Sequence, residues 1–125
     1  MPILAAVEDF LFRSKIRATA KQLGVEIAFA ADADEMLAKA RELKPSLLIF
    51  DLNGVKTDPI QTIGMLKKDP ATAGIRALGF VSHVDTLTIS AAKRAGADEI
   101  LARGAFASGL AEILTTGAAA DTPRP

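Results

Sequence analysis

Five polar residues follow short apolar runs of the sequence, and their side chains could bind a cation and a phosphate. Glu8 and Asp9 follow the first run, and Asp51 follows the most continuously apolar one. Ser82 and Arg103 follow two later runs. Carboxylates, a hydroxyl and a fixed cation are the groups that a phosphoryl-transfer site uses.

Three carboxylates that converge on one place repel one another unless a cation neutralises them. Hard oxygen ligands of this kind suit Mg²⁺, which binds one or two protein carboxylates together with phosphate oxygens. A carboxylate beside such an ion can attack a phosphoryl donor and form an aspartyl phosphate. Ser82 and Arg103 could then hold the remaining phosphoryl oxygens. The simpler alternative is that acidic residues at strand ends cap the helices that follow.

Short apolar runs alternate with longer amphipathic segments, which predicts five successive βα units around a parallel sheet. The predicted strands are Ile3–Val7, Val25–Phe29, Ser46–Phe50, Arg76–Val81 and Glu99–Ala102. The predicted helices are Asp9–Leu23, one from Asp32 or Asp34 to Leu43, one from Pro59 to about Asp69, Asp85–Ala95 and Phe106–Thr115.

These units favour a flavodoxin-like, doubly wound α/β fold with strand order 2-1-3-4-5 and helices on both faces. The mixed polarity of Val25–Phe29 suits an edge strand, and the apolar run Ser46–Phe50 suits the sheet centre. Ligands of such folds bind at the carboxyl ends of the central strands. We therefore expect the five polar residues to meet at that edge.

The bulk composition excludes several classes of function. The chain has 125 residues, 15 basic and 15 acidic, and no cysteine. Zero net charge argues against direct nucleic-acid binding, and no apolar run reaches the length of a membrane helix. The lack of cysteine fits the cytoplasm. We expect one domain over residues 1–116 and a flexible tail over 117–125.

The order and spacing of four short motifs resemble the receiver domains of bacterial response regulators. The resemblance runs from about Ile3 to Leu114. Its motifs are Val7-Glu8-Asp9-Phe10, Leu48-Ile49-Phe50-Asp51-Leu52-Asn53, Phe80-Val81-Ser82, and Ala95-Gly96-Ala97 leading to Arg103.

The resemblance implies a role for each site residue. Asp51 would accept the phosphoryl group, and Ser82 would bind a phosphoryl oxygen and act in the switch. Arg103 stands in place of the family's usual lysine. Glu8, Asp9, Asp51 and the backbone carbonyl of Asn53 would hold Mg²⁺. The implied partners are a histidine kinase or phosphotransfer protein and a downstream protein, and a homodimer is a further expectation.

Several positions depart from the family pattern. Arg103 is followed by Gly104, where the family has a proline, and His83 follows the switch hydroxyl, where the family has a small residue. Ile100 occupies the position of the switch aromatic, and the loop after Asp51 lacks the usual proline. Phosphate chemistry is consistent with these residues, but an aromatic switch is not.

Two alternatives remain open. The departures favour a degenerate receiver that binds proteins without being phosphorylated. The segment Ile49–Val55 also looks like the first motif of haloacid-dehalogenase-type phosphatases. That family needs a second aspartate as general acid two residues after the nucleophile, and this chain has Asn53 there. As a receiver, the chain would at most catalyse its own phosphorylation and slow dephosphorylation.

Overall fold

A computed structural model describes residues 1–82 and 85–119 of the chain. Five parallel strands form a single sheet in the order β2-β1-β3-β4-β5. The strands are β1 (Ile3–Ala6), β2 (Ile27–Phe29), β3 (Leu47–Asp51), β4 (Arg76–Val81) and β5 (Glu99–Ala102). The helices are α1 (Phe10–Leu23), α2 (Ala33–Leu43), α3 (Pro59–Lys68), α4 (Thr86–Ala95), α5 (Arg103–Ser108) and α6 (Leu110–Thr116).

The predicted doubly wound fold and its strand order are confirmed. All five residues of β3 are buried, whereas the three residues of β2 are half-buried at the sheet edge. Helix α1 and the last two helices cover one face of the sheet, and α2, α3 and α4 cover the other. An apolar strand between two helix layers loses water on both sides, and this explains the continuous hydrophobic run of β3.

Aspartate side chains cap the starts of three helices. The side chains of Asp9, Asp32 and Asp85 each accept a hydrogen bond from a backbone N–H in the first turn of α1, α2 and α4, respectively. Gly24 and Gly96 end α1 and α4 with φ angles of 70° and 116°. Such left-handed backbone favours glycine, which has no Cβ to clash.

Three phenylalanines form the part of the core that lies under the carboxyl edge of the sheet. Phe80 of β4 stacks on Phe106 of α5 with 4.4 Å between ring centroids. Phe12 of α1 meets both rings edge-on, at 5.0 Å and 5.5 Å. These contacts fix the starts of α1 and α5 against β4, so the core positions two of the loops that carry polar residues.

The prediction of one last helix from Phe106 to Thr115 is wrong. Helix α5 begins at Arg103, directly after β5, and Gly109 separates it from α6. The Gly109 N–H still bonds to the Ala105 carbonyl at 3.0 Å. Glycine is a weak helix former, so a break at this position is inexpensive. The other predicted element bounds agree to within about two residues.

The division at residue 116 stays a prediction. The Gly117 carbonyl accepts a hydrogen bond from Arg76 Nε at 2.7 Å, and the Ala119 N–H contacts Glu99 at 3.3 Å. Residues 117–119 thus touch the domain, and residues 120–125 of the predicted tail lie outside the described residues. Among the described helices, none is long and apolar enough to cross a membrane.

We predict that the aromatic cluster contributes strongly to stability. Phe106 is fully buried, so Phe106→Ala should lower the free energy of unfolding by about 3–5 kcal/mol through lost burial and a new cavity. The Phe10→Ala variant is the matched control, because Phe10 is 71% exposed and should cost about 0.5 kcal/mol or less. Urea unfolding of both variants measures the difference, and equal losses would contradict this packing.

Candidate phosphoryl-transfer site

Asp51 ends β3 at the centre of the carboxyl edge. Asp51 is only 8% exposed, because both neighbouring strands and both helix layers surround β3. Oδ1 of Asp51 accepts a hydrogen bond from the Asn53 N–H at 3.0 Å. No described residue donates a hydrogen bond to Oδ2. The Asn53 N–H thus holds one carboxylate oxygen in place.

The surroundings of Asp51 act on its acidity. Burial raises the pKa of the Asp51 carboxyl, and the Asn53 N–H opposes this shift. The charges of Glu8 and Asp9 raise the pKa further, whereas Arg103 lowers it. All four charged groups therefore lie within electrostatic range of one another at this edge.

Glu8 lies at the end of β1 and binds the loop that follows β3. Its Oε2 accepts a hydrogen bond from the Lys56 N–H at 2.9 Å. A Cβ on Gly54 would lie 2.6 Å from the same oxygen. The loop can approach the carboxylate this closely only because residue 54 has no side chain.

Asp9 uses both carboxylate oxygens in contacts within the chain. Oδ1 accepts the Phe12 N–H at 3.1 Å as the cap of α1, and Oδ2 accepts from Arg103 at 2.8 Å. The Phe12 hydrogen bond first, and then the Arg103 guanidinium, lower the pKa of Asp9. The guanidinium carbon also lies 4.6 Å from the centroid of the Phe12 ring. Arg103 is thereby held between a carboxylate and an aromatic face.

Asn53 connects the ends of β3 and β4. Its side-chain Oδ1 accepts a hydrogen bond from the Ser82 N–H at 2.7 Å. The Leu52 N–H bonds to the Phe80 carbonyl at 2.9 Å and continues the pairing of the two strands. Ser82 itself is exposed at this edge. The resemblance to receiver domains predicts a role only for the backbone carbonyl of Asn53, as a metal ligand. It gives no sign of this side-chain contact.

The structure also shows the surroundings of the other residues that depart from the receiver-domain pattern. Gly104 lies in the first turn of α5, where a Cβ would meet no atom within 4 Å, and no cis peptide bond occurs in the described part of the chain. Ile100 packs against the core between the sheet and helices α2, α3 and α4. His83 lies outside the described residues.

In this arrangement the carboxylates of the predicted metal site are not grouped as metal ligands. Within residues 1–82 and 85–119, no three Asp, Glu or His side chains are grouped so that they could hold a metal ion. Glu8 and both oxygens of Asp9 already accept hydrogen bonds from protein donors. The predicted Mg²⁺ site of Glu8, Asp9, Asp51 and Asn53 therefore stays a prediction.

The fold is that of the receiver domains of response regulators. A CheY-like receiver domain protein from Methanospirillum hungatei is 20% identical, with a TM-score of 0.80, and the match covers 93% of this chain and 91% of that one. The phosphorylated cyanobacterial phytochrome response regulator RcpA is 18% identical, with a TM-score of 0.75 and coverages of 94% and 95%. The Mn²⁺-bound form of response regulator Rcp1 is 16% identical, with a TM-score of 0.77 and coverages of 95% and 98%.

Neither a protein-family model nor a curated protein matches the chain. The predicted resemblance to receiver domains is thus confirmed by solved structures, which bear on the fold. Within the doubly wound α/β class, the chain is similar to CheY-like response regulators.

We predict that Asp51→Asn is more stable than the parent chain at neutral pH. Burial raises the pKa of the Asp51 carboxyl in the folded state, so ionisation of this group opposes folding. Asparagine removes the charge and keeps an oxygen for the Asn53 N–H. The gain should be full above the folded-state pKa and vanish once the pH is well below the usual value of 3.8. Urea midpoints of the parent chain and of Asp51→Asn, taken at neutral pH and well below pH 3.8, measure this gain.

Asp69→Asn is the control with the opposite sign. The N–H of Ala71 and then the Arg41 guanidinium lower the pKa of Asp69, so its ionised form favours folding. This variant should be less stable than the parent at neutral pH. A loss of stability in Asp51→Asn at neutral pH would contradict the raised pKa of Asp51.

Proposed function

We propose that this chain is a receiver domain of two-component signal transduction that accepts a phosphoryl group on Asp51. The observation that carries the proposal is a buried carboxylate at the end of the central strand, with one oxygen fixed by the Asn53 N–H. A response regulator with the same fold, RcpA, has been crystallised in a phosphorylated form. The state of Asp51 would be read by a separate protein.

The chemistry follows from the groups at the edge. The free carboxylate oxygen of Asp51 attacks the phosphorus of a phosphohistidine on a partner protein. A new O–P bond forms, the P–N bond breaks, and the imidazole leaves after taking up a proton. Ser82 and Arg103 are the donors available for the phosphoryl oxygens, whose charge needs stabilisation during transfer. A histidine kinase or phosphotransfer protein would supply the phosphohistidine.

Incubation with acetyl phosphate or phosphoramidate, with and without Mg²⁺, tests the proposal. We expect intact-protein mass spectrometry to detect one added phosphoryl group in the parent chain and none in Asp51→Asn. Asp58→Asn is the matched control, because Asp58 precedes α3 in the same loop and makes no side-chain cap. It should react like the parent chain.

An adduct that persists in Asp51→Asn would place the reactive group elsewhere. No adduct in the parent chain with either donor, with or without Mg²⁺, would overturn the proposal. It would favour the second candidate function.

That second candidate is an interaction module that works without phosphorylation, and the Arg103–Asp9 ion pair favours it. This pair already neutralises one of the acidic groups at the edge. Large apolar side chains are exposed in the nearby loops and helix starts, among them Leu11, Val55 and Leu87. Partner affinity that is the same for the parent chain and Asp51→Asn would support this function.

The phosphatase alternative gains no support. It needs a proton-transferring acid at residue 53, and an amide cannot fill that role. The Asn53 side chain is engaged with the Ser82 N–H instead.

A further inference from the structure

We infer that the Arg103 guanidinium is the resident cation of this acidic edge and occupies the place that a divalent metal would otherwise take. The inference deepens the proposed function, because it concerns the same site. The similar response regulator Rcp1 has been solved with Mn²⁺ bound. The carboxylates of this chain face an internal cation.

The inference is supported first by Asp9, whose two carboxylate oxygens both accept hydrogen bonds. One oxygen is fixed on the Phe12 N–H and the other on Arg103, at 3.1 Å and 2.8 Å. A carboxylate oxygen paired with a guanidinium N–H at this distance is a weaker metal ligand, because the guanidinium takes part of its charge and one of its lone pairs. Arg103 therefore competes with a metal for Asp9.

The second support is that Arg103 is built into the edge by the backbone. Helix α5 begins at Arg103 with no loop after β5, so the position of its Cα is set by the sheet. The guanidinium then lies over the Phe12 ring at 4.6 Å. A planar guanidinium suits this position better than a lysine ammonium, because it can stack and pair at the same time.

The third support comes from Glu8, the other carboxylate at the end of β1. Its Oε2 binds the Lys56 N–H, and Gly54 lies against the same oxygen. The loop after β3 thus contacts Glu8, while Arg103 contacts Asp9. Both acidic side chains that follow β1 thus accept hydrogen bonds from within the chain.

The test is a Mn²⁺ titration of the full chain without any phosphoryl donor, followed by water-proton relaxation. We expect Arg103→Gln to bind Mn²⁺ at least about tenfold more tightly than the parent chain, since it removes a positive charge and frees an oxygen of Asp9. Excess Mg²⁺ should displace the Mn²⁺. The side chains of Arg103 and Asp9 are 42% and 35% exposed, so the ion pair contributes little to folding and the variant should fold.

Arg41→Gln is the matched control. Arg41 binds one oxygen of Asp69 at 2.7 Å while a backbone N–H binds the other, as in the Arg103–Asp9 pair, but far from the edge of β3. This variant should leave Mn²⁺ affinity unchanged. The double variant Arg103→Gln/Asp9→Asn should lose the affinity that Arg103→Gln gains.

Equal Mn²⁺ affinity in the parent chain and Arg103→Gln would overturn the inference, provided that circular dichroism shows both to be folded. If circular dichroism shows that Arg103→Gln has lost its native helix, Arg103→Met takes its place. The same criterion then applies. The titration needs no phosphorylation, so it separates failure of this inference from failure of the proposed function. A parent chain that is phosphorylated but binds Mn²⁺ as tightly as Arg103→Gln would overturn this inference and leave the proposed function intact.

Discussion

The burial of β3 on both faces is the constraint on which the rest of this molecule depends. A strand between two helix layers must be apolar throughout, and its first polar residue can come only where the layers part. In this chain that residue is Asp51, at the last position of the strand. The last position of the strand therefore leaves the Asp51 carboxylate largely desolvated, and a carboxylate whose pKa is raised in this way is a candidate for a functional role.

Much of the fold follows from local rules that can be read in the sequence. The apolar run before Asp51 indicated a central strand, and Asp9 and Asp85 indicated helix starts. These features depend on neighbours within a few residues, so the sequence contains the information directly. The strand order followed from the small number of arrangements that right-handed βα units allow.

The contacts within the candidate site were harder to predict because they join residues far apart in the chain. Arg103 and Asp9 are separated by 94 positions, and Glu8 and the Lys56 N–H by 48. Residue types alone could not tell whether Arg103 would bind a phosphate or a carboxylate. Gly54 was the one visible signal, since a glycine beside a predicted acidic site can indicate a close approach of backbone.

The hydrogen bond from the Ser82 N–H to Asn53 joins the ends of β3 and β4. A side-chain amide is a short and stiff connector, and it joins the turn that fixes the Asp51 carboxylate to the start of the segment between β4 and α4. Two hydrogen bonds thus connect Asp51 to Ser82 by way of Asn53. The chain thus has a hydrogen-bonded connection from its central carboxylate to the exposed Ser82, and this connection contains no aromatic side chain.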